Sequence, residues 1–233
     1  MFLAATKISI IIPALNEVEA LTRLLPSLQS YRERGHEIIL VDGGSHDKSL
    51  AVGRPLVDRL VQTVKGRAHQ MNEGADIANN DILLFLHADT GLPDLADKLI
   101  LQALASEECH WGYFNVRLSS EKFIFKLISS FMNLRSTYSR ISTGDQGIFV
   151  RKIIFEDVGL FDRIPLMEDV ALSKKLLKLS KPCCLKETVT TSSRRWEENG
   201  VWKTIFLMWR LRLAYFLGVR PEKLVEQYYP DSK

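Results

Sequence analysis

Carboxylates and one amide stand where apolar segments give way to loops. Asn16 and Glu17 follow ISIIIPAL, Asp42 closes EIILV, Asp89 follows DILLFLHA, and a further acidic pair, Glu168 and Asp169, follows Pro165-Leu166-Met167. Side chains of these types can accept hydrogen bonds from sugar hydroxyls or a base edge, or hold a divalent cation. Asp89, just ahead of Gly91-Leu92-Pro93, is placed to hold Mg²⁺ or Mn²⁺, which would neutralise a diphosphate; capping of the next helix or turn is the competing role. His87 lies two residues earlier and shares the face of Asp89 if the strand continues, although alone it fits a core histidine best. In Asp42-Gly43-Gly44 the glycines let backbone approach a ligand, but Asp-Gly is also an ordinary turn. Gly66-Arg67-Ala68 opens a helix, where the dipole and the arginine favour phosphate, with a solvated basic helix start as an equal alternative. Arg194, Arg195 and Trp196 can grip phosphate, stack on a ring, or form a surface ion-pair site.

Positioning such groups together requires a particular frame. The runs Ile8 to Glu17, Glu37 to Ser45 and Asp81 to Thr90 are too short and too continuously apolar for amphipathic helices, and read as strands buried on both faces of a parallel sheet. Between them, Leu21, Leu24, Leu25 and Leu28 recur at helical spacing behind an Asn16–Glu19 capping box, and Ala68, Met71, Ala75 and Ala78 mark another helix. Ser45 is read as the cap of a short helix, and Arg59 to Val64 as a short strand. The alternation βαβαβαβ predicts parallel strands with right-handed crossovers, whose carboxyl ends rim one crevice. Further on, the pattern predicts a helix from Pro93 to Ser106, a strand Trp111 to Leu118, a helix Phe123 to Leu134, a turn and strand over Gly144 to Lys152, a helix Glu168 to Leu179 and a strand Glu187 to Thr191.

The chain has 233 residues, enough for one α/β domain. We read it as a single domain with internal divisions near residues 110 and 200, and with 201–233 as a C-terminal amphipathic segment. Thirty-one basic against 28 acidic residues give a formal charge of +3, too mild to draw nucleic acid by bulk attraction. Three cysteines, Cys109, Cys183 and Cys184, show neither metal spacing nor a disulfide framework, which points to a reducing compartment. The start, MFLAATKISIIIPALNE, lacks the basic segment and cleavage pattern of a secretory signal. A cytoplasmic location, at most at the inner face of a membrane, is therefore expected.

Seven segments in this order, IIPALNE, VDGGSHDKS, GRAHQMNEGA, LLFLHADT, GDQGIFVRK, MEDVALSKKL and SRRW, resemble those of small bacterial family 2 glycosyltransferases of the GT-A fold. The resemblance spans about Ile8 to Gly200. It implies a Rossmann-like, mostly parallel sheet with flanking helices, and an inverting transferase that takes a sugar from a nucleotide-diphosphate donor with Mn²⁺ or Mg²⁺. On it, Pro13, Asn16, Glu17, Asp42 and Gly43 would surround the nucleoside. Arg67, His87, Arg195 and Trp196 would approach the donor, Asp89 would bind the metal, and Asp169, beside Glu168, would be the general base. This chain has His87-Ala88-Asp89 where many relatives carry two aspartates flanking one residue, so its metal site rests on one acid. It has Ser192-Ser193-Arg194-Arg195-Trp196 where processive members place Gln, two spacers and Arg-Trp, which disfavours polymer synthesis.

Trp202, Ile205, Phe206, Trp209, Leu213 and Phe216 recur every three or four residues with Lys203, Arg210 and Arg212 elsewhere on the helix. Packing of this helix on the core or on a second subunit is the favoured reading, and peripheral membrane contact through 201–219, with a lipid-linked acceptor, the other. Two rival functions remain at this point. One is a non-catalytic nucleotide- or membrane-binding adaptor; the other, a sugar nucleotidyltransferase, expects a glycine-rich basic loop after the first strand, which Pro13-Ala14-Leu15-Asn16-Glu17 is not. Neither the P-loop nor the dinucleotide glycine fingerprint occurs.

Overall fold

The computed structural model describes residues 6–228. In chain order, β1 (Ile8–Ala14) leads to α1 (Val18–Ser27) and α2 (Gln29–Glu33), then β2 (Glu37–Asp42), α3 (Ser49–Gly53), β3 (Arg59–Gln62) and α4 (Arg67–Asp76). Next come β4 (Ile82–Phe85), the two-residue β5 (Thr90–Gly91), α5 (Ala96–Leu104), β6 (Trp111–Leu118) and α6 (Phe123–Ser139). The chain continues through β7 (Ile148–Arg151), α7 (Lys152–Asp157), α8 (Glu168–Leu176), β8 (Cys183–Thr191), α9 (Arg194–Asn199), α10 (Val201–Phe216) and α11 (Pro221–Tyr228).

Strands β1, β2 and β4 are buried along their whole length because alternate side chains enter two different cores. Ile8, Ile10, Ile12, Ile38, Leu40, Ile82 and Leu84 pack beneath α1 and α5 through Leu21, Leu25, Ile100 and Leu104. Ile11, Ile39, Val41, Leu83 and Phe85 face the opposite way, against Met71 and Ala75 of α4 and Leu172 and Leu176 of α8. Each such fully buried aliphatic side chain contributes roughly 1.5–3 kcal/mol, which fixes the register against one-residue slips. Helix α4 lies unusually close to the sheet: a Cβ on Gly74 would come within 2.4 Å of Ile11 Cγ2.

The eight strands form one sheet in the order β3-β2-β1-β4-β7-β6-β8-β5. Strands β3, β2, β1 and β4 are parallel, as the βαβ alternation predicts. Strand β7 then runs antiparallel to β4, β6 antiparallel to β7, β8 parallel to β6, and β5 antiparallel to β8. The result is a mixed but mostly parallel sheet between two helical layers, as the GT-A resemblance implies.

Several local expectations are corrected. Asn16 does not cap α1: it sits in the left-handed region at φ 55°, and the helix begins after Glu17. The first amides of α1 are met from the next loop, with Val18 N–H donating to Asp47 Oδ2 at 3.2 Å and Glu17 N–H to Ser49 Oγ at 2.9 Å. Ser45 caps nothing either; Ser49 N–H donates to Asp47 Oδ1 at 2.9 Å at the start of α3. Strand β4 ends at Phe85, so Ala88 and Asp89 form a turn and strand alternation does not relate His87 to Asp89. Cys109 and Cys183 are joined in a disulfide, which the odd cysteine count does not suggest; the register that sets Gly112 opposite Cys183 brings them together. Residues 1–5 and residues 229–233 of the C-terminal segment lie outside the described residues.

Candidate active site

At the carboxyl ends of β1 and β2 the two strands are stitched by a side chain from α4. Gln70 Nε2 donates to the carbonyls of Ala14 at 2.7 Å and Val41 at 2.8 Å. Pro13 is buried opposite Val41, and Asp42 stands opposite Ala14. A Cβ at Gly43 would meet the Gln70 amide at 3.1 Å, so that glycine makes room for Gln70. Gly44, at φ 92° with open space around it, supplies the left-handed turn. Asp42 Oδ2 accepts from Gly44 N–H at 3.0 Å, Ser45 N–H at 2.9 Å and Gln62 Nε2 at 3.3 Å. Burial raises the Asp42 pKa, but the hydrogen bonds from Ser45, Gln62 and Gly44 outweigh it, and the carboxyl ends below its ordinary value. Among the described residues its second oxygen, Oδ1, is buried without a hydrogen-bond partner. An ionised carboxylate with a spare lone pair is suited to a donor from a ligand. Beside it, Asn16 N–H donates to Ser45 Oγ at 2.8 Å and Asn16 Oδ1 accepts from His46 N–H at 2.9 Å, which fixes the loop that carries Glu17.

The turn after β4 is anchored from the far side of the sheet. Thr90 Oγ1 lies 3.0 Å from Thr191 Oγ1 across the β5–β8 pair, which draws the segment after β8 up to Asp89. A cleft of about 630 Å³ opens there, lined by Asp89, Thr90, Glu19, Arg23, Ser192 and Arg194 among others. Asp42 and Asp169 are not part of its walls. The Asp89 carboxylate is open to this cleft yet ringed by protein, so its pKa is raised, first by desolvation and then by Asp145, against the pull of Arg67. Glu17 is raised for the same reasons, with Asp89 as its repelling neighbour and Arg194 and Arg67 opposing. His87 is half-buried: among the described residues its enclosed Nε2 has no hydrogen-bond partner, and a Cβ on Gly144 would lie 2.4 Å from it. Burial, then the charge of Arg67, holds its pKa well below the ordinary value, so the ring is neutral.

Glu168 and Asp169 open α8 behind Met167, which takes a left-handed φ of 69°. Asp169 Oδ2 accepts from Gly144 N–H at 2.7 Å and Oδ1 from Val170 N–H at 2.7 Å. Its pKa is nevertheless raised, because burial outweighs those two hydrogen bonds and Asp145 repels it. Glu168 is buried, and desolvation followed by the charge of Asp169 lifts it to about 7. Arg67 lowers both carboxyls as well as Glu17 and Asp89. One guanidinium at the start of α4 therefore acts on acids from the loop before α1, the β4 turn and α8.

One residue of this constellation, Asp145, is not named in the sequence reading, and a second, Arg194, is named there only alongside Arg195 and Trp196. Asp145, inside GDQGIFVRK, repels both Asp89 and Asp169, attracts Arg135, and leaves Oδ1 buried without a partner. Arg194, rather than its neighbour Arg195, lines the cleft. Arg195 instead stacks over the Tyr228 ring at 3.6 Å and donates to the Tyr228 carbonyl at 2.9 Å, and Trp196 packs with Val201 and Ile205. Neither of these two lines the cleft beside Asp89. The inclusion of Asp145 in a quoted motif was the available sequence signal; nothing in Ser-Arg-Arg-Trp distinguishes its arginines.

A divalent cation fits the acids here only in part. Among the described residues no group of three metal-ligating side chains stands together. The open, mutually repelled Asp89 and the orphaned Asp145 Oδ1 are the groups a cation would relieve. Mg²⁺ and Mn²⁺ commonly take one or two carboxylates and complete their shell from substrate phosphates and water, so this donor set suits an ion that arrives with a diphosphate.

Comparison with known proteins agrees with this geometry. The chain is 39% identical over 97 residues to a PGL/p-HBAD biosynthesis glycosyltransferase of Mycobacterium bovis (strain BCG / Pasteur 1173P2), over 39% of this chain and 38% of that protein. It is 33% identical over 110 residues to a 4,4'-diaponeurosporenoate glycosyltransferase of Staphylococcus haemolyticus (strain JCSC1435), over 43% of this chain and 29% of that protein. The matched stretch thus spans well under half the length of either relative. In fold it is similar to the mannosyltransferase PcManGT from Pyrobaculum calidifontis in complex with GDP-Man and Mn²⁺, with TM-score 0.63, 18% identity, and coverage of 97% of this chain and 65% of that one. It is also similar to glucosyl-3-phosphoglycerate synthase from Mycobacterium tuberculosis in complex with Mn²⁺ and UDP-glucose, with TM-score 0.61, 15% identity, and coverage of 80% and 70%. The family model for Glycosyl transferase family 2 matches residues 9–153, more than half the chain, from the first residues of β1 past β7. Strand ends, acid placement and this match converge: the chain belongs to glycosyl transferase family 2.

Proposed function

We propose that this protein is an inverting glycosyltransferase that moves a sugar from a nucleotide-diphosphate donor to an acceptor hydroxyl. The observation that carries the reading is the single cation, Arg67, acting on Glu17, Asp89, Glu168 and Asp169 at one end of the sheet. Such a cluster joins a site for negative charge to carboxyls whose pKa is raised, which is what charge-separating transfer requires. Family membership supports it, as do structural neighbours whose names include GDP-Man, UDP-glucose and Mn²⁺.

In this reading Asp42, Asn16 and Pro13 hold the nucleoside, with the free Asp42 Oδ1 as acceptor for a base or ribose donor. Arg67 and the N-terminus of α4 face the diphosphate. Asp89 would hold the Mn²⁺ or Mg²⁺, which supplies positive charge to the departing diphosphate. Asp169 takes the proton from the acceptor hydroxyl as its oxygen bonds to the anomeric carbon. The carbon–oxygen bond to the diphosphate breaks on the opposite face, and the electron pair leaves with the nucleoside diphosphate. The hydrogen bonds from Gly144 and Val170 orient that base, and buried Glu168 keeps the region of high proton affinity.

The test is thermal unfolding with UDP, GDP or dTDP, each with and without Mn²⁺. One diphosphate is expected to stabilise the protein more with the metal than alone, and Asp89→Ala to remove the metal-dependent part. No shift with any of the three would overturn the assignment.

A further inference from the structure

Among the described residues two helices leave apolar faces exposed. On α6, Phe123, Leu127, Phe131, Leu134 and Tyr138 are 42% to 83% exposed. Their spacing of three and four residues puts them on one stripe. On α10, Trp202, Phe206, Trp209, Leu213 and Phe216 make a second stripe, each 60% exposed or more. The expectation that α10 packs on the core is met only by its other face, where Thr204 and Leu211 are buried. Ile124 and Ile128 of α6 pack in the same cluster as Val201 and Ile205 of α10. At about 100° per residue, Ile124 lies at the edge of the first stripe and Ile205 at the edge of the second. Each stripe therefore runs beside the cluster that the two helices share. Isolated exposed apolar side chains are ordinary, but two largely aromatic stripes flanking one cluster mark a contact site.

Charge selects what the patch meets. Neither helix contains an acid, while Lys126 on α6 and Lys203, Arg210 and Arg212 on α10 are basic. Lys126 leans on Glu121 at 3.3 Å in an exposed pair, whereas Arg210 donates to the amide oxygen of Gln227 at 2.7 Å, a partner without charge. A second copy of the chain would bring the same sign to the seam and oppose pairing. An anionic bilayer meets both requirements at once, apolar depth beneath a negative surface, with tryptophan and tyrosine at its interface. No helix among the described residues is long and apolar enough to cross a membrane, so the helices would lie flat.

We infer that α6 and α10 together form a platform by which this protein docks on an anionic lipid bilayer. Both helices connect directly to the candidate active site. Five residues after the end of α6 comes Gly144, whose N–H holds Asp169, and α9, immediately ahead of α10, carries Arg194 at the Asp89 cleft. Where the transfer reading above holds, docking brings a membrane-borne acceptor to the catalytic carboxylate; the docking itself does not depend on that reading.

Flotation of the full chain with phosphatidylcholine vesicles, with and without phosphatidylglycerol, tests the platform. Binding to the anionic vesicles is expected to exceed binding to neutral ones by at least about tenfold, since each basic side chain near such a surface adds to the attraction. The pair Phe131→Ser and Trp209→Ser is expected to cut binding by more than about tenfold, because two large side chains lose their burial in lipid. Both residues are exposed, so the thermal unfolding midpoint should stay in place. Tryptophan emission should shift to the blue on binding, from Trp202 and Trp209. No flotation with either vesicle, equal flotation of the double variant, or a dimer dissolved by the same substitutions without vesicle uptake would each overturn the platform. Lost flotation with an intact nucleotide shift removes the platform alone, and the converse removes the transfer reading alone.

Discussion

Asp169 combines two opposed influences, and its chemistry depends on their balance. Two backbone N–H groups stabilise its charge, while burial and Asp145 disfavour it, and the net pKa is raised. A carboxylate of that kind is a better proton acceptor than a solvated one. Asp169→Asn keeps size and shape but cannot take the proton, so kcat should fall roughly 10²–10⁴-fold with donor affinity little changed. Steady-state kinetics against donor concentration checks this. Glu168 permits a sharper prediction because its pKa lies near 7, above the ordinary 4.5. A buried acid raised in this way favours the folded state when protonated; that contribution is complete below about 4.5 and is lost as pH rises through about 7. Glu168→Gln should therefore be more stable than the parent at pH 8, by an amount on the order of 3 kcal/mol, with no advantage at pH 4. Chemical denaturation at the two pH values measures the difference.

At the level of elements, the site is held by contacts between segments remote in sequence. The 3-10 turn Gly144–Gln146 is the clearest case. Thr143 and Gln146 form a reciprocal capping box, Ser136 Oγ donates to Gln146 Oε1 at 2.8 Å, and Gly144 faces His87 on one side and Asp169 on the other. A methyl at 144 would strike the half-buried His87 ring, so one of the two must shift. Gly144→Ala should thus destabilise the fold by about 1–3 kcal/mol and lower kcat by moving the N–H that orients Asp169. Thermal unfolding alongside kinetics tests both parts. Helix α1 shows the same logic at lower stakes: its N-terminus is capped by Asp47 and Ser49 across a loop, so the Asn16–Glu19 spacing that reads as a capping box is coincidental. Periodicity locates such a helix well, but the partner of its first amides is a tertiary fact.

Across the whole molecule the sheet divides into a parallel part, β3-β2-β1-β4, that presents Asp42 and Asp89, and a mixed part, β7-β6-β8-β5, that brings in Asp145, Asp169 and Arg194. The candidate site lies where β4 meets β7 and the strand direction reverses. A bound donor would bridge the two parts. Amide hydrogen exchange with the stabilising diphosphate and Mn²⁺ should accordingly show protection in Asp42–Ser45, Arg67–Gln70, Ala88–Gly91 and Gly144–Gln146 together. At a ligand concentration a hundred times Kd, stabilisation would be about 2.7 kcal/mol. Protection confined to the parallel part would mean that the nucleotide is held without engaging the catalytic carboxylates.

What the order of residues determines alone is the parallel half: strands apolar on both faces, helices with one apolar stripe, and acids placed just past strand ends, all of which are local patterns. The Trp111–Leu118 strand and the start of α8 are read correctly for the same reason. Tertiary structure decided the rest. Which strands turn antiparallel, that Arg194 and not Arg195 reaches the cleft, that Asp145 joins Asp89 and Asp169, that Cys109 meets Cys183, and that α6 and α10 share one side-chain cluster all depend on distances between segments far apart in the chain. Periodicity carries the direction a side chain takes from its own element, and only packing sets what it meets there.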